Sequence, residues 1–247
     1  MSFYIVVLSI LFTFSLFGTS TTLKNRLEKA KGGEFIVTQK DKILTLLIYH
    51  RFMAGNRILL EEISVPKSSI SFPINWQEWI NNYAPGHHSW TLYEIDSPSG
   101  ELLSCFSPSK GKWLSISQEA SFLPKFLQLP LEEVSDEKRK RIGPASKTDA
   151  QDHRQIWAPL LVYEGKSYEK ACFEVFETFW PSDDTELSLA HIILYFHKEN
   201  FSFPFPYWIQ IDNGVARSTI RIIDSGSKLQ SIFMDLPTRK LSKGAMQ

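Results

Sequence analysis

Apolar and polar residues alternate along most of this chain in short runs, and turn-forming residues separate the runs. Glu34 to Gln39 (EFIVTQ) reads as a short strand and Ile43 to Phe52 (ILTLLIYHRF) as a longer one, with Asp41-Lys42 in the turn between them. Ala54-Gly55-Asn56 is a further turn, because Gly and Asn tolerate positive φ. Ile58 to Val65 then alternates loosely and stops at Pro66, so the three pieces form an antiparallel meander. Trp76, Trp79, Ile80 and Tyr83 recur at helical spacing, which predicts a short helix capped by Asn75 and ended by Pro85-Gly86.

A second group of strands follows. Ser89 to Ile95 (SWTLYEI) places Trp90, Leu92 and Glu94 on one side. Turns at Pro98-Ser99-Gly100 and Pro108 to Gly111 flank Glu101 to Phe106 and lead into Trp113 to Ile116. In the last third, Ile156 to Tyr163, Leu187 to Phe196, Pro206 to Asp212, Val215 to Ile223 and Lys228 to Phe233 read as strands. Tyr168 to Trp180 is ambiguous, since Cys172, Val175, Phe176 and Phe179 would share a helix face. The close bracketing turns favour a strand. Asn213-Gly214 is the strongest hairpin signal, of type I′, and Asp224-Ser225-Gly226 reads as another turn. The predicted fold class is mainly β (α+β), an antiparallel meander forming a curved sheet, half-barrel or sandwich with a few short helices.

Composition agrees with this reading. The 18 Phe and 7 Trp suit pleated, half-buried surfaces, either as core filling or as the wall of an apolar cavity. Lys plus Arg balance Asp plus Glu at 27 each, so the overall basic excess of a nucleic-acid binder is missing. The run Lys138-Arg139-Lys140-Arg141 sits in a stretch without apolar periodicity, which reads as a solvated loop or a patch for an anionic partner.

The first segment bears on compartment. Phe3 to Phe17 is apolar and uncharged, and Gly18, Thr19 and Ser20 follow, as in a secretory signal cut after Ser20. It is short for a membrane span. Lys24, Arg26, Lys29 and Lys31 lie just after it, which suits an uncleaved anchor instead, and a buried N-terminal element is the third reading. The expected organisation is a signal peptide at 1–20, a tether or short helix at 21–33 and a β-rich part at 34–131. A polar exposed linker at 132–155, a β meander at 156–236 and a flexible tail at 237–247 complete it.

Chemistry-bearing motifs are sparse. There is no GxSxG elbow, phosphate-binding glycine loop or zinc-spaced Cys/His cluster, so no catalytic residue, metal or cofactor is predicted. His87-His88, His191 with His197, Asp183-Asp184 and Asp212-Asn213-Gly214 are better explained by loop, strand and turn chemistry than by metal ligation. Cys105 and Cys172 could pair in an oxidising compartment or remain two separate thiols. Phe201, Phe203, Phe205 and Tyr207 alternate with Pro204 and Pro206 and run into Trp208. They read either as a rigid entry into the core or as an apolar lip. Phe203, Phe205, Tyr207 and Trp208 are therefore the candidate ligand or partner surface.

Trp180-Pro181-Ser182-Asp183-Asp184, Phe203-Pro204-Phe205-Pro206-Tyr207-Trp208-Ile209 and Ile223-Asp224-Ser225-Gly226 resemble uncharacterised exported proteins of chlamydiae. That resemblance implies an envelope location and no particular activity. Over Ile156 to Phe233 the strand order is also similar to the periplasmic lipoprotein-carrier fold, which implies an incomplete barrel around acyl chains. The expectation is an exported, periplasmic or envelope-associated protein, more a binder of an apolar ligand or envelope protein than an enzyme. A structural assembly protein and a hydrolase with an unrecognised site are the alternatives. No nucleic-acid partner is expected, and membrane contact would come only through an uncleaved N-terminal segment.

Overall fold

The computed structural model describes residues 21–53, 56–114, 122–144, 152–199 and 203–233. The leader at 1–20, the tail at 237–247, most of the turn at Ala54-Gly55, Ile116, and Phe201 of the aromatic run lie outside the described residues.

Fourteen strands and three short helices are described. The N-terminal half holds β1 (Thr21–Thr22), β2 (Glu34–Lys40), β3 (Ile43–Met53), β4 (Arg57–Pro66), β5 (Ser89–Asp96), β6 (Leu102–Ser107), β7 (Lys112–Trp113) and β8 (Pro130–Glu133). The C-terminal half holds β9 (Leu161–Tyr163), β10 (Lys166–Tyr168), β11 (Phe173–Phe179), β12 (His191–His197), β13 (Trp208–Asp212) and β14 (Arg217–Gly226). The helices are α1 (Leu23–Leu27), α2 (Trp76–Asn81) and α3 (Phe122–Gln128). Twelve strands form one antiparallel sheet, ordered β1-β8-β11-β12-β13-β14-β2-β3-β4-β5-β6-β7, and β9 and β10 form a separate hairpin. The sheet has two ends and does not close into a barrel.

The meander β2 to β6 and the helix α2 match the pattern. Asn75 caps α2 by accepting from the Glu78 amide at 3.2 Å. Within Tyr168 to Trp180 the strand reading holds for β11, which pairs with β12 from Phe173↔His197 to Phe179↔His191, while Tyr168 closes β10.

Three local readings are corrected. Asp224-Ser225-Gly226 is not a turn but the end of β14, paired with Val37, Ile36 and Phe35 after a register shift. Asp224 stays extended because its buried carboxylate accepts from the Trp76 indole at 2.8 Å and the Gly165 amide at 3.0 Å. Lys228 to Phe233 forms no strand, and Leu229 and Phe233 instead pack against the face that carries α2. Asn213-Gly214 is not the centre of a type I′ turn. Asp212 pairs with Arg217, and only Gly214 of the central pair Gly214-Val215 has positive φ.

Helix α3 and strand β8 are among the elements that escaped the pattern. Helix α3 carries a proline in its first turn, where the missing amide costs no helical bond. Strand β8 takes Glu132 and Glu133, which look like linker, and pairs them with Glu177 and Phe176. The basic run also does structural work: Arg139 donates to the Val134 and Phe173 carbonyls, and Lys140 lies 4.5 Å over the Trp157 ring.

The sheet separates two apolar clusters. On one face Val37, Leu44, Ile48 and Leu59 pack under Trp76, Trp79 and Trp90. On the other, Ile36, Tyr49, Leu60 and Ile222 meet α1, α3 and the inner residues of β11 and β12. Leu60 on β4 and Ile209 on β13 line one cavity although four strand positions separate them, roughly 19 Å along a flat sheet. The sheet is therefore strongly bent, with this second cluster on its concave side.

Candidate functional site: an apolar cavity with one carboxylate

The concave cavity has a volume of about 190 Å³. Its floor follows from register. Ile36, Leu47 and Glu62 stand opposite one another across β2, β3 and β4, with Thr38 and Thr45 in the next row. Ile209 and Ile220 face each other on β13 and β14 and form the far wall. The roof is Leu23 and Leu27 of α1, Leu123, Phe126 and Leu127 of α3, and Pro204 to Pro206.

The roof is fixed from several sides. Thr22 caps α1 through the Asn25 amide. At its other end Ser97 donates to Glu28, and Lys24 donates to the Pro98 carbonyl at 3.1 Å. Arg26 turns away from the cavity, bonds Glu174 at 2.9 Å and lies 4.0 Å over the Phe196 ring.

Among the described residues, Glu62 is the single charged one lining the cavity. Its carboxylate accepts from the Tyr93 hydroxyl at 3.4 Å, at the edge of hydrogen-bond range. Desolvation by burial raises its pKa, and the Tyr93 bond offsets that only in part. Tyr93 stands beside Cys105 across β5 and β6, and burial, with a smaller contribution from Glu62, pushes the Cys105 thiol up to about 11. A thiol held so far above neutral pH is a poor nucleophile.

Glu61, the preceding residue, points to the other face and is fully buried. Its carboxylate takes the Trp90 indole N–H and lies 2.7 Å from His50 Nε2. His50 reaches it from a register irregularity in β3, where Tyr49 pairs with Leu60 and Arg51 with Leu59. Gly32 passes so near that a Cβ there would lie 2.4 Å from the His50 carbonyl oxygen, which leaves no space for a side chain.

The four predicted surface aromatics do not form an exposed lip. Phe203, Phe205 and Tyr207 are buried at 2%, 6% and 1% exposure. Phe203 stacks on Tyr207 at 5.2 Å and meets Phe205 edge-on at 5.9 Å. Of the four, Phe205 lines the cavity, and Trp208 is half-buried against Trp157. These rings are a core entry, because the prolines hold the segment rigid while it crosses over the concave face. Cys105 is buried and Cys172 exposed, and both are free thiols, so the pairing considered above is not made.

His191 bonds Glu177 at 2.8 Å, His197 packs against Phe173 and Tyr207, and His87 contacts the Ala84 carbonyl. Among the described residues no histidine bonds a serine or cysteine side chain, and no group of three or more His, Cys, Asp or Glu could hold a metal. A wider hollow of about 680 Å³ lies beside the β9–β10 hairpin, lined in part by Tyr163, Lys170, His197 and Glu199.

The family model described as CT021 protein matches residues 45–169, just over half of the 247. The chain belongs to that family. The matched stretch runs from β3 through β10 and includes Glu61, Glu62, Tyr93 and Cys105. The 2.0 Å structure of the hypothetical protein CT021 from Chlamydia trachomatis aligns over 89% of this chain and 98% of that one. The TM-score is 0.62 and the identity 19%, a likeness of fold. No curated protein matches. The resemblance to a chlamydial family is thus met, whereas neither named match is a lipoprotein carrier.

Sequence reasoning missed Glu62. A usable signal was present: two adjacent carboxylates inside an apolar strand must face opposite sides of the sheet.

Proposed function

We propose that this protein is an exported, non-enzymatic binder of a small apolar or amphipathic molecule, held in the concave cavity between β2 to β4, β13, β14, α1 and α3. The observation that carries the reading is the cavity: about 190 Å³, walled by leucine, isoleucine, phenylalanine and proline. An apolar cavity of about 150 Å³ already accepts benzene. Export rests on the uncharged run Phe3 to Phe17 followed by small residues.

The size sets the scale of affinity. A ligand of about nine non-hydrogen atoms at roughly 0.5 kcal/mol per atom binds with a Kd on the order of 1 mM. Titration with 1-octanol, followed by NMR, is expected to shift the methyl signals of Leu27, Leu47 and Leu60 saturably. Leu47→Trp, which fills the floor, is expected to abolish those shifts while cooperative unfolding persists. Wild-type methyl signals that do not respond to octanol overturn the reading.

A further inference from the structure

This inference rests on the cavity reading and specifies its ligand. An apolar cavity needs no charge, and a half-buried carboxylate costs stability unless something compensates it. Glu62 nevertheless lines a cavity whose other described walls are aliphatic, aromatic, proline and threonine side chains, and it has one long hydrogen bond from Tyr93. Among the described residues, the basic side chains of α1 and β4 bond other groups. Arg26 bonds Glu174, Arg57 bonds Glu94, and Lys24 bonds a main-chain carbonyl of the β5–β6 turn. The remaining polar side chains lining the cavity are Thr38 and Thr45, whose hydroxyl oxygens can also accept. Thr38 donates its own proton to the Thr45 carbonyl, and Thr45 shares one with Ser64 at 3.0 Å. The polar end of the cavity is thus rich in acceptors and bears one ionisable carboxyl group.

We infer that the cavity selects a cationic amphiphile: a short alkyl or aryl body seated between Leu47, Phe126 and Ile209, with a primary ammonium head against the Glu62 carboxylate. An ammonium supplies the missing counter-charge and three donors, and no acceptor that the site would leave unmatched. A carboxylate-headed amphiphile would meet like charge and acceptors only. Burial favours the neutral form of Glu62, so the head-group preference should strengthen as rising pH ionises it.

The test uses the full chain and three probes of equal length: octylamine, 1-octanol and octanoate, titrated at pH 8 with the leucine methyl signals as readout. Octylamine is expected to bind at least tenfold tighter than octanol, and octanoate weaker than both. Glu62→Gln is expected to reduce the amine-to-octanol ratio below threefold while octanol affinity changes less than threefold. Octanoate binding as well as octylamine overturns the inference, as does an amine preference that survives Glu62→Gln. If that variant does not fold, the wild-type order of the three probes decides alone. Octanol binding without amine preference sinks the head-group assignment only, whereas no binding of octanol sinks the cavity itself.

Discussion

Glu61 and Glu62 are neighbours on one strand, yet the two sides of the sheet treat them in opposite ways. Glu61 enters the face beneath α2, where three tryptophans and the Leu229 segment fill the space and the Trp90 indole and His50 satisfy its carboxylate. Glu62 enters the concave face, where α1, α3 and the Pro204–Pro206 segment span a bend and leave a cavity. The first carboxylate is part of a closed polar network, and its removal strands its partners. The second carries a desolvation penalty with little return, which a binding site tolerates and a structural core does not. A flat sheet can be packed shut on both faces. A bent one crowds side chains less evenly, so its inside is where a cavity survives.

The comparison can be broken most forcefully at Glu61. Glu61→Ala leaves the Trp90 N–H and the His50 ring unsatisfied in the interior and is expected to cost about 4 kcal/mol in urea unfolding. Glu62→Ala in the same assay should cost less than about 1 kcal/mol, since little is bonded to it. Equal losses at the two positions would mean that the two faces treat their carboxylates alike.

Next in size is Arg26→Ala, which abandons Glu174 and uncovers the Phe196 ring. A loss of about 3 kcal/mol is expected by chemical denaturation, a check on whether the roof over the cavity is rigid. Asp224→Ala releases Trp76 of α2 and the Gly165 amide together, and a loss of about 2 kcal/mol is expected.

The smallest effects come from pH. Burial lifts Glu34 from 4.5 to about 7, and Glu62 in the same direction. A carboxyl group whose folded pKa is raised binds its proton more tightly in the native state. Its stabilising contribution is therefore full below about pH 4.5 and declines as pH rises through its folded pKa. The melting temperature is expected to fall across that window. Glu34→Gln should flatten the part near neutrality, and Glu62→Gln should raise the melting temperature at pH 8. A profile unchanged by both variants would show that neither carboxyl group is desolvated in solution.

Much of the fold was legible because its strands announce themselves locally. In β5, Trp90 and Leu92 alternate with Thr91 and Tyr93, and in β12 the apolar run is bounded by turns, so both strands are readable from neighbours in sequence. Reading failed where distant partners overrode local preference. Asp224-Ser225-Gly226 has turn chemistry, but β2 and the Trp76 indole hold it extended. The aromatic run was legible as rigid and apolar, but its destination was not. Whether Phe205 faces water or a cavity depends on where α1 and α3 settle.

The sequence by itself determined the antiparallel strands, the cap of α2 and the fact that Glu61 and Glu62 cannot share a face, because side chains on a strand alternate regardless of context. Only the tertiary structure decided which of those faces is filled by tryptophan and which is left hollow. That choice arises from the bend of a twelve-stranded sheet and the elements laid across its two sides. These are long-range contacts between β14 and β2 and between the helices and the concave floor, which no local pattern encodes.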